Sequence, residues 1–271
     1  MPIIVRVCNS RICRIAGKCL VILGIALLAI HPGVARDKYE TIEAQAFGTG
    51  TQMGANIGVT LNIYDYSTPA DKAILVQADV SILADTQRLI DQSYTQLGRA
   101  DILVNNAGIE IKAPFWEVTE KDYDAVLNVN LKGAFFLTQA FVQRLISAKL
   151  SGRVINISSV HEDMVFPHFS TYCAAKGGMR MLMRDLAVEL GPHNITINDI
   201  APGAIATPIN TKLMANKSQL NALLANIPLG RMGTPEDVAG LALFLASDDG
   251  AYCTGSTFII DGGLIRNYHE Q

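Results

Sequence analysis

The chain has 271 residues, is 49% hydrophobic and 17% charged, and carries a formal net charge of -3. That length fits one large α/β domain with a substantial core, the simpler reading, or two small ones, and beyond the first eighteen residues basic and acidic side chains are interspersed, which leaves no field to hold nucleic acid. The five cysteines, Cys8, Cys13, Cys19, Cys173 and Cys253, are odd in number, scattered and without a C-x-x-C pair, so neither a disulfide framework nor a zinc site is indicated. Reduced thiols in a cytoplasmic chain with no metal site are the expectation, with Cys173 a small packing residue.

In chain order, Arg6, Arg11, Arg14 and Lys18 precede an apolar run from Cys19 to Ile30 and the small residues Gly33-Val34-Ala35, the order of a secretory signal. The run is too short to span a bilayer, which takes about twenty apolar residues. The competing reading makes Lys18 to Gly24 (KCLVILG) the first buried strand of a sheet, and it is preferred because the downstream pattern demands such a strand. Residues 25–72 are the least legible: Ala35 to Gly58 shows neither helical nor strand period, and VTLNIYDY (59–66) has the composition of a strand. From residue 73 onward short apolar runs alternate with segments of helical period. The runs are AILVQADV (73–80), DILVNNAG (101–108), RVINISS (153–159), ITINDIAPG (195–203) and TFIIDGG (257–263). Their continuous Ile, Leu and Val cores mean burial on both faces, so the fold class is α/β: a Rossmann-type, doubly wound parallel sheet of about seven strands in a single domain, 1–271. Thr119, with Asp122 three residues on, and Thr234-Pro235-Glu236-Asp237 predict two helix starts. The stripe Met179, Leu182, Met183, Leu186, Leu190 predicts a helix packed on the core that Gly191-Pro192 ends.

Chemistry concentrates on that last helix. Tyr172 and Lys176 stand at i and i+4, so both side chains leave one face and can meet one reacting group. A nearby ammonium favours the phenolate, so the spacing predicts a lowered tyrosine pKa and a general acid/base within reach of neutrality. Ser159 ends a buried strand thirteen residues earlier, where the carboxyl edge of an α/β sheet opens onto a ligand crevice.

With NNAG (105–108), NVN (128–130), ISS before Y-x-x-x-K and Pro202-Gly203, the chain resembles the short-chain dehydrogenase/reductase family. The resemblance implies an NAD(P)-dependent oxidoreductase acting on CH-OH groups, with a tetrad of Asn130, Ser159, Tyr172 and Lys176. In it tyrosine exchanges the proton, serine holds the substrate oxygen, lysine also binds the nicotinamide ribose, and asparagine orders a water. It further implies cofactor contacts from Asp79 and Val80 to the adenine, from Asn106, Ala107 and Gly108 to the adenosine half, and from Ile205 and Thr207 beside Pro202-Gly203 to the nicotinamide amide. VINISSVHE (154–162), YCAAKGGM (172–179) and APGAIATPIN (201–210) are similar to glucose 1-dehydrogenases, which implies a sugar or polyol substrate, Glu110, His161 and Asn210 near its hydroxyls, and a cytoplasmic homo-oligomer, a homotetramer in the family's usual form. The alternative for His161 and Glu162 is a solvated loop pair. A 3-oxoacyl carrier-protein reductase or a steroid dehydrogenase would show the same tetrad, and residues Ala204 to Gly233 are expected to form a lid that sets the substrate.

One family feature is missing. After KCLVIL, Gly24 fits the first glycine of T-G-x-x-x-G-x-G, but Leu23 replaces the threonine, and Leu28 and Ile30 take the other glycine positions, where side chains fill the room phosphate needs. Thr49-Gly50-Thr51-Gln52-Met53-Gly54-Ala55-Asn56 matches most of the pattern but stands only about thirty residues before Asp79, too few for a helix, a strand and a helix. Asp65 is the only acid that could end the second strand and favour NAD, so NAD and NADP stay open with a lean to NAD. The degraded fingerprint also raises a second hypothesis, a catalytically silent relative kept as an assembly partner.

Overall fold

The computed structural model describes residues 76–207 and 210–267, together with the backbone of five segments before them. Those segments are strands β1 (Pro2–Arg6), β2 (Leu20–Leu23), β3 (Tyr39–Gln45), β4 (Gly58–Tyr64) and β5 (Ala73–Gln77). Four more follow: β6 (Ile102–Asn105), β7 (Gly152–Ile157), β8 (Ile195–Pro202) and β9 (Thr257–Ile260). Seven strands form one sheet in the order β5-β1-β2-β6-β7-β8-β9.

Parallel ladders join β2, β6, β7, β8 and β9 in register, with Ile22 opposite Val104, Asn105 opposite Asn156, and Asn156 opposite Asp199. The expected strand at KCLVILG is therefore Leu20–Leu23, paired with the central β6. The exception to the parallel order is β1, which runs antiparallel between β5 and β2. Nothing in the sequence pattern around Pro2–Arg6 predicted a strand there. The segment VTLNIYDY does contain a strand, yet it pairs antiparallel with β3 in a separate two-stranded ribbon. Its strict alternation of Val59, Leu61 and Ile63 with polar residues is the pattern of a one-faced ribbon, not of a strand buried on both sides.

Helices cover both faces. On one face lie α1 (Leu83–Leu97), α3 (Ala134–Ala148) and α4 (Ser170–Leu190), whose Leu89, Ile90, Leu137, Phe141, Leu145 and Met183 form a core with Leu103, Val154 and Ile197 of the sheet. On the other, α7 (Pro235–Ala246) sets Val238 and Leu245 against Ile102, Val104, Ile155 and Ile200. This two-sided core is the doubly wound arrangement, and it explains why the strands read as unbroken apolar runs. The helix signals hold in detail. Thr119 accepts from the Asp122 backbone N-H at the start of α2 (Glu120–Leu127), and Thr234 and Asp237 close a capping box at α7. Gly191 caps α4 as expected, and Met179 and Met183 are fully buried.

Between α2 and α3 the helix widens into a π-turn, Asn128–Gly133. The whole helical run, Glu120–Ala148, is long and apolar enough to cross a membrane, but half of its most apolar stretch is buried inside this fold, as in a core helix. The π-turn sits where backbones nearly touch: a Cβ on Gly133 would lie 2.9 Å from the Val80 carbonyl oxygen. Two short helices, α5 (Thr211–Ala215) and α6 (Lys217–Ala225), fill the segment expected as a lid.

Candidate active site

Because β6, β7 and β8 run in the same direction, their carboxyl ends open on one edge of the sheet, where helix-side and strand-side residues converge. A cleft of about 490 Å³ lies there. From the loop after β6 it takes Asn106, Gly108 and Glu110, from the turn after β7 Ser159 and His161, from α4 Tyr172 and Lys176, and from the end of β8 and the segment after it Pro202, Gly203, Ile205, Thr207 and Asn210. Twelve of the residues read from the sequence thus meet around one cavity. Ala107 does not: it packs against the core below. Asp79 lines a separate hollow with Asp85 and Arg88 at the carboxyl end of β5, its carboxylate accepting from Ser81, while Val80 is buried against Gly133. Gly24, Asp65, Leu28 and Ile30 lie outside the described residues, as does the Thr49–Asn56 stretch.

The Tyr172 hydroxyl differs from expectation. Burial pushes its pKa up to about 12, a hydrogen bond with Ser159 pulls the other way, and Glu110 raises it further. Lys176 stands on the same helix face as predicted, yet its ammonium is 5.6 Å from the Tyr172 ring centroid and donates to the Ile157 carbonyl oxygen at 2.8 Å. Lys176 is itself buried, which brings its pKa down to about 8 against the pull of Asp199 and Glu162. Desolvation of the phenolate therefore outweighs the favourable charge that the i, i+4 spacing implied. The Ser159 hydroxyl, next to Tyr172, also accepts from the His161 backbone N-H at 3.2 Å.

Asn130 does not line the cleft. Fully buried in the π-turn, it accepts from the Ile109 N-H at 2.9 Å and donates to the Ile109 carbonyl at 2.8 Å, so both ends of its amide clamp the loop that carries Gly108 and Glu110. Its side chain is engaged in positioning that loop.

The solvated-pair reading of His161 and Glu162 is overturned. His161 stacks on Phe169 at 4.9 Å between centroids and meets Phe166 and Tyr172 edge to face, and burial lowers its pKa. Glu162 is 2% exposed, accepts from Ser158 Oγ at 2.5 Å and lies 3.7 Å from Arg180 Nε. Of the other polar candidates, Glu110 pairs with Lys112 and Asn210 donates to the Ile205 carbonyl. Sequence reasoning missed the aromatic wall of Phe166 and Phe169 and the buried acids Glu162 and Asp199. The letters FPHF between two glycine-free loops carried no periodic signal, but an acid inside the apolar run ITINDIAPG was a visible one.

The residues present fit the nicotinamide half of a dinucleotide. The cleft brings together an ammonium and two hydroxyls with Gly203, Ala204, Ile205 and Thr207, and its lining continues to Asn106 and Gly108. Added bulk at Gly108 would meet Asn130 only at ordinary contact distance, 3.6 Å, so that edge is not sterically closed. Among the described residues no group of three or more metal-ligating side chains occurs.

A family profile described as enoyl-(acyl carrier protein) reductase matches residues 56–265. The chain is 42% identical over 192 residues to a 3β-hydroxysteroid dehydrogenase of Eggerthella lenta, covering 71% of this chain and 74% of that protein. It is 44% identical over 179 residues to a 3-oxoacyl-[acyl-carrier-protein] reductase of Thermotoga maritima, covering 66% and 72%. Among solved structures, a gluconate 5-dehydrogenase of Burkholderia cenocepacia in complex with NADP and tartrate superposes with a TM-score of 0.67 at 35% identity, covering 70% of this chain and 74% of that one.

Proposed function

The chain belongs to the short-chain dehydrogenase/reductase family, and on that premise we propose that its cleft oxidises a hydroxyl of a sugar or polyol, or reduces the matching carbonyl. The cofactor is NAD(P), which supplies or accepts the hydride when bound. Tyr172 donates or takes the proton at the substrate oxygen, Ser159 hydrogen-bonds that oxygen, and Lys176 holds ribose hydroxyls; Asn106, Gly108, Pro202, Gly203, Ile205 and Thr207 form the rest of the cofactor's bed. The observation that carries this reading is the convergence of Ser159, Tyr172 and Lys176 on one cleft, with the Ser159 and Tyr172 hydroxyls bonded to each other. A phenol held near 12 is a proton donor at neutral pH, suited to carbonyl reduction, and in oxidation it must pass its proton onward as the alcohol's proton arrives.

Polar groups at the cleft, Glu110, His161 and Asn210, favour a hydroxylated substrate. The likeness to glucose 1-dehydrogenases rests on sequence motifs, while the relatives compared above bear steroid, acyl carrier protein and gluconate names. A second reading has its own observation: Phe166, Phe169, Leu213 and Leu223 make part of the wall apolar, which suits an alcohol on a larger apolar skeleton, as in a steroid. The test is initial-rate measurement by nicotinamide absorbance with NAD and NADP across aldoses, gluconates, hydroxysteroids and a 3-oxoacyl thioester. A kcat/KM for hydroxysteroids above that for every sugar would replace the first reading with the second. A homo-oligomer belongs to the same proposal, supported by Phe135 and Ile146 on α3 and Met181 and Val188 on α4, which are exposed and apolar on adjoining helices. Light scattering after size exclusion checks it.

A further inference from the structure

Lys176 is 3% exposed, and an ammonium so placed needs counter-charge or it sheds its proton. The Ile157 carbonyl supplies one hydrogen bond and no charge. Two carboxylates lie on the same side of the sheet. Asp199 is opposite Asn156 on β8 and takes a 2.8 Å hydrogen bond from it on Oδ1, leaving Oδ2 buried with no partner among the described residues. The next pair along the ladder, Ile157 and Ile200, brings in the carbonyl that Lys176 touches. Glu162 comes from the short turn after β7 and is bound by Ser158 and faced by Arg180, one helical turn beyond Lys176 on α4. Lys176, Asp199 and Glu162 are thus enclosed between α4, β8 and the turn after β7, with the Arg180 side chain, 25% exposed, at the edge of the group.

We propose that Asp199 and Glu162 are positioning residues, the paired counter-charge that keeps the Lys176 ammonium charged and aimed at the cleft. The inference deepens the reading of Lys176 as a site residue and rests on it. The charged groups facing Lys176 are Asp199 from β8, Glu162 from the turn after β7 and Arg180 from its own helix, with Tyr172 one turn before it; those facing Asp199 are Lys176, Glu162 and Arg180. Arg180 also pairs with Asp163 at 3.1 Å, nearer than its 3.7 Å contact with Glu162, so Glu162 is shared between Arg180 and Lys176. Burial holds Asp199 itself up at about 7, so the counter-charge forms across neutrality. Below that range Asp199 is neutral and Glu162 alone balances the cluster.

The experiment is an NMR titration of full-length protein with lysine labelled at 13Cε, the Lys176 signal being the one lost in Lys176→Met. In Asp199→Asn, which keeps the shape and can still accept from Asn156, the Lys176 midpoint is expected to fall by at least about one pH unit, the usual effect of removing a close opposite charge. Glu162→Gln is expected to lower it as well, and the alkaline limb of kcat should move with it. In wild-type protein the Lys176 signal should show a first inflection where Asp199 ionises. Coincident midpoints in wild type and the folded variants would overturn the proposal; if circular dichroism shows that neither variant folds, a single-step wild-type titration would overturn it. Failure of the underlying reading looks different: midpoints would shift as stated, yet Lys176→Met would keep its cofactor affinity and turnover.

Discussion

Replacing Asn130 by alanine tests whether its amide is a clamp. The side chain is fully buried and makes two hydrogen bonds, at 2.9 and 2.8 Å, to the N-H and carbonyl of Ile109. Alanine removes both and leaves the N-H and the carbonyl of Ile109 without these partners; each unmade bond of this kind costs about 1 to 3 kcal/mol when fully buried. Ile109 is half-buried and water can reach part of it, so the lower end applies and the sum is about 2 to 3 kcal/mol. Urea denaturation gives the loss as a lower midpoint at unchanged slope. Since the same loop presents Gly108 and Glu110 to the cleft, KM for the cofactor should rise with it. Asn130→Asp keeps the acceptor for the Ile109 N-H but sets a carboxylate against its carbonyl, so it should be no more stable than alanine. A stability within about 0.5 kcal/mol of wild type for Asn130→Ala, the range of neutral surface changes, would refute the clamp.

Tyr172→Phe should cut turnover by at least about a hundredfold with the fold intact, measured as kcat beside a far-ultraviolet spectrum; wild-type turnover would remove Tyr172 from the chemistry. Gly203→Ala should destabilise by about 1 to 3 kcal/mol in the same urea assay, because its Cβ would lie 2.7 Å from the Cβ and 2.9 Å from the Cα of Asp261 and backbone must move. Stability should also depend on pH through Asp199, whose folded pKa is raised from 3.8 to about 7. Between those values the folded state holds a proton that the unfolded state has lost, so stability falls as pH rises, and Asp199→Asn should flatten that slope relative to wild type. Calorimetric titration of NAD and NADP, beside a variant with residues 23–30 rewritten to T-G-x-x-x-G-x-G, tests the leucine and isoleucine at the phosphate positions: tighter binding by the rewritten chain by about two orders of magnitude is expected, and equal affinity would show that they do not obstruct the pyrophosphate.

Continuous apolar runs, caps and the Met179 stripe were legible because each is a local pattern whose physics does not depend on the rest of the chain: Thr234 needs only Asp237 three residues away. The convergence of Ser159, Tyr172 and Lys176 was legible for a related reason, since one strand end and one helix face fix all three. What the pattern misjudged was the balance of solvation. Spacing places Lys176 near Tyr172, but how far burial opposes the phenolate depends on walls brought by Phe166, Phe169 and the turn after β7, which no local rule supplies. The antiparallel β1 was invisible because Pro2–Arg6 holds only three β-branched residues, Ile3, Ile4 and Val5, between a proline and an arginine, too short a run to carry a strand period.

The buried polar chain across the sheet has a use that follows from its geometry. Asn105 donates to Thr138 on α3 and to Asn156 on β7, and Asn156 donates to Asp199 on β8, so one line of side chains ties α3 to three neighbouring strands. Each of these side chains would cost stability if left unpaired in the core, and the bonds can all be made only in the register observed, Asn105 opposite Asn156 opposite Asp199. In parallel strands with apolar side chains on both faces, a slip of two residues would still bury apolar surface, so hydrophobic burial alone discriminates weakly against it. The polar line removes that freedom, and it lies one residue from the Ile157 carbonyl that receives Lys176 and three from Ser159. Register in the core is thereby transmitted to the relative height of the β6, β7 and β8 ends, which is what sets the spacing of the cleft's polar groups. Asp199 takes part both in that line and in the charge cluster beneath Lys176, so the same residue that fixes where the strands end also balances the ammonium that works there.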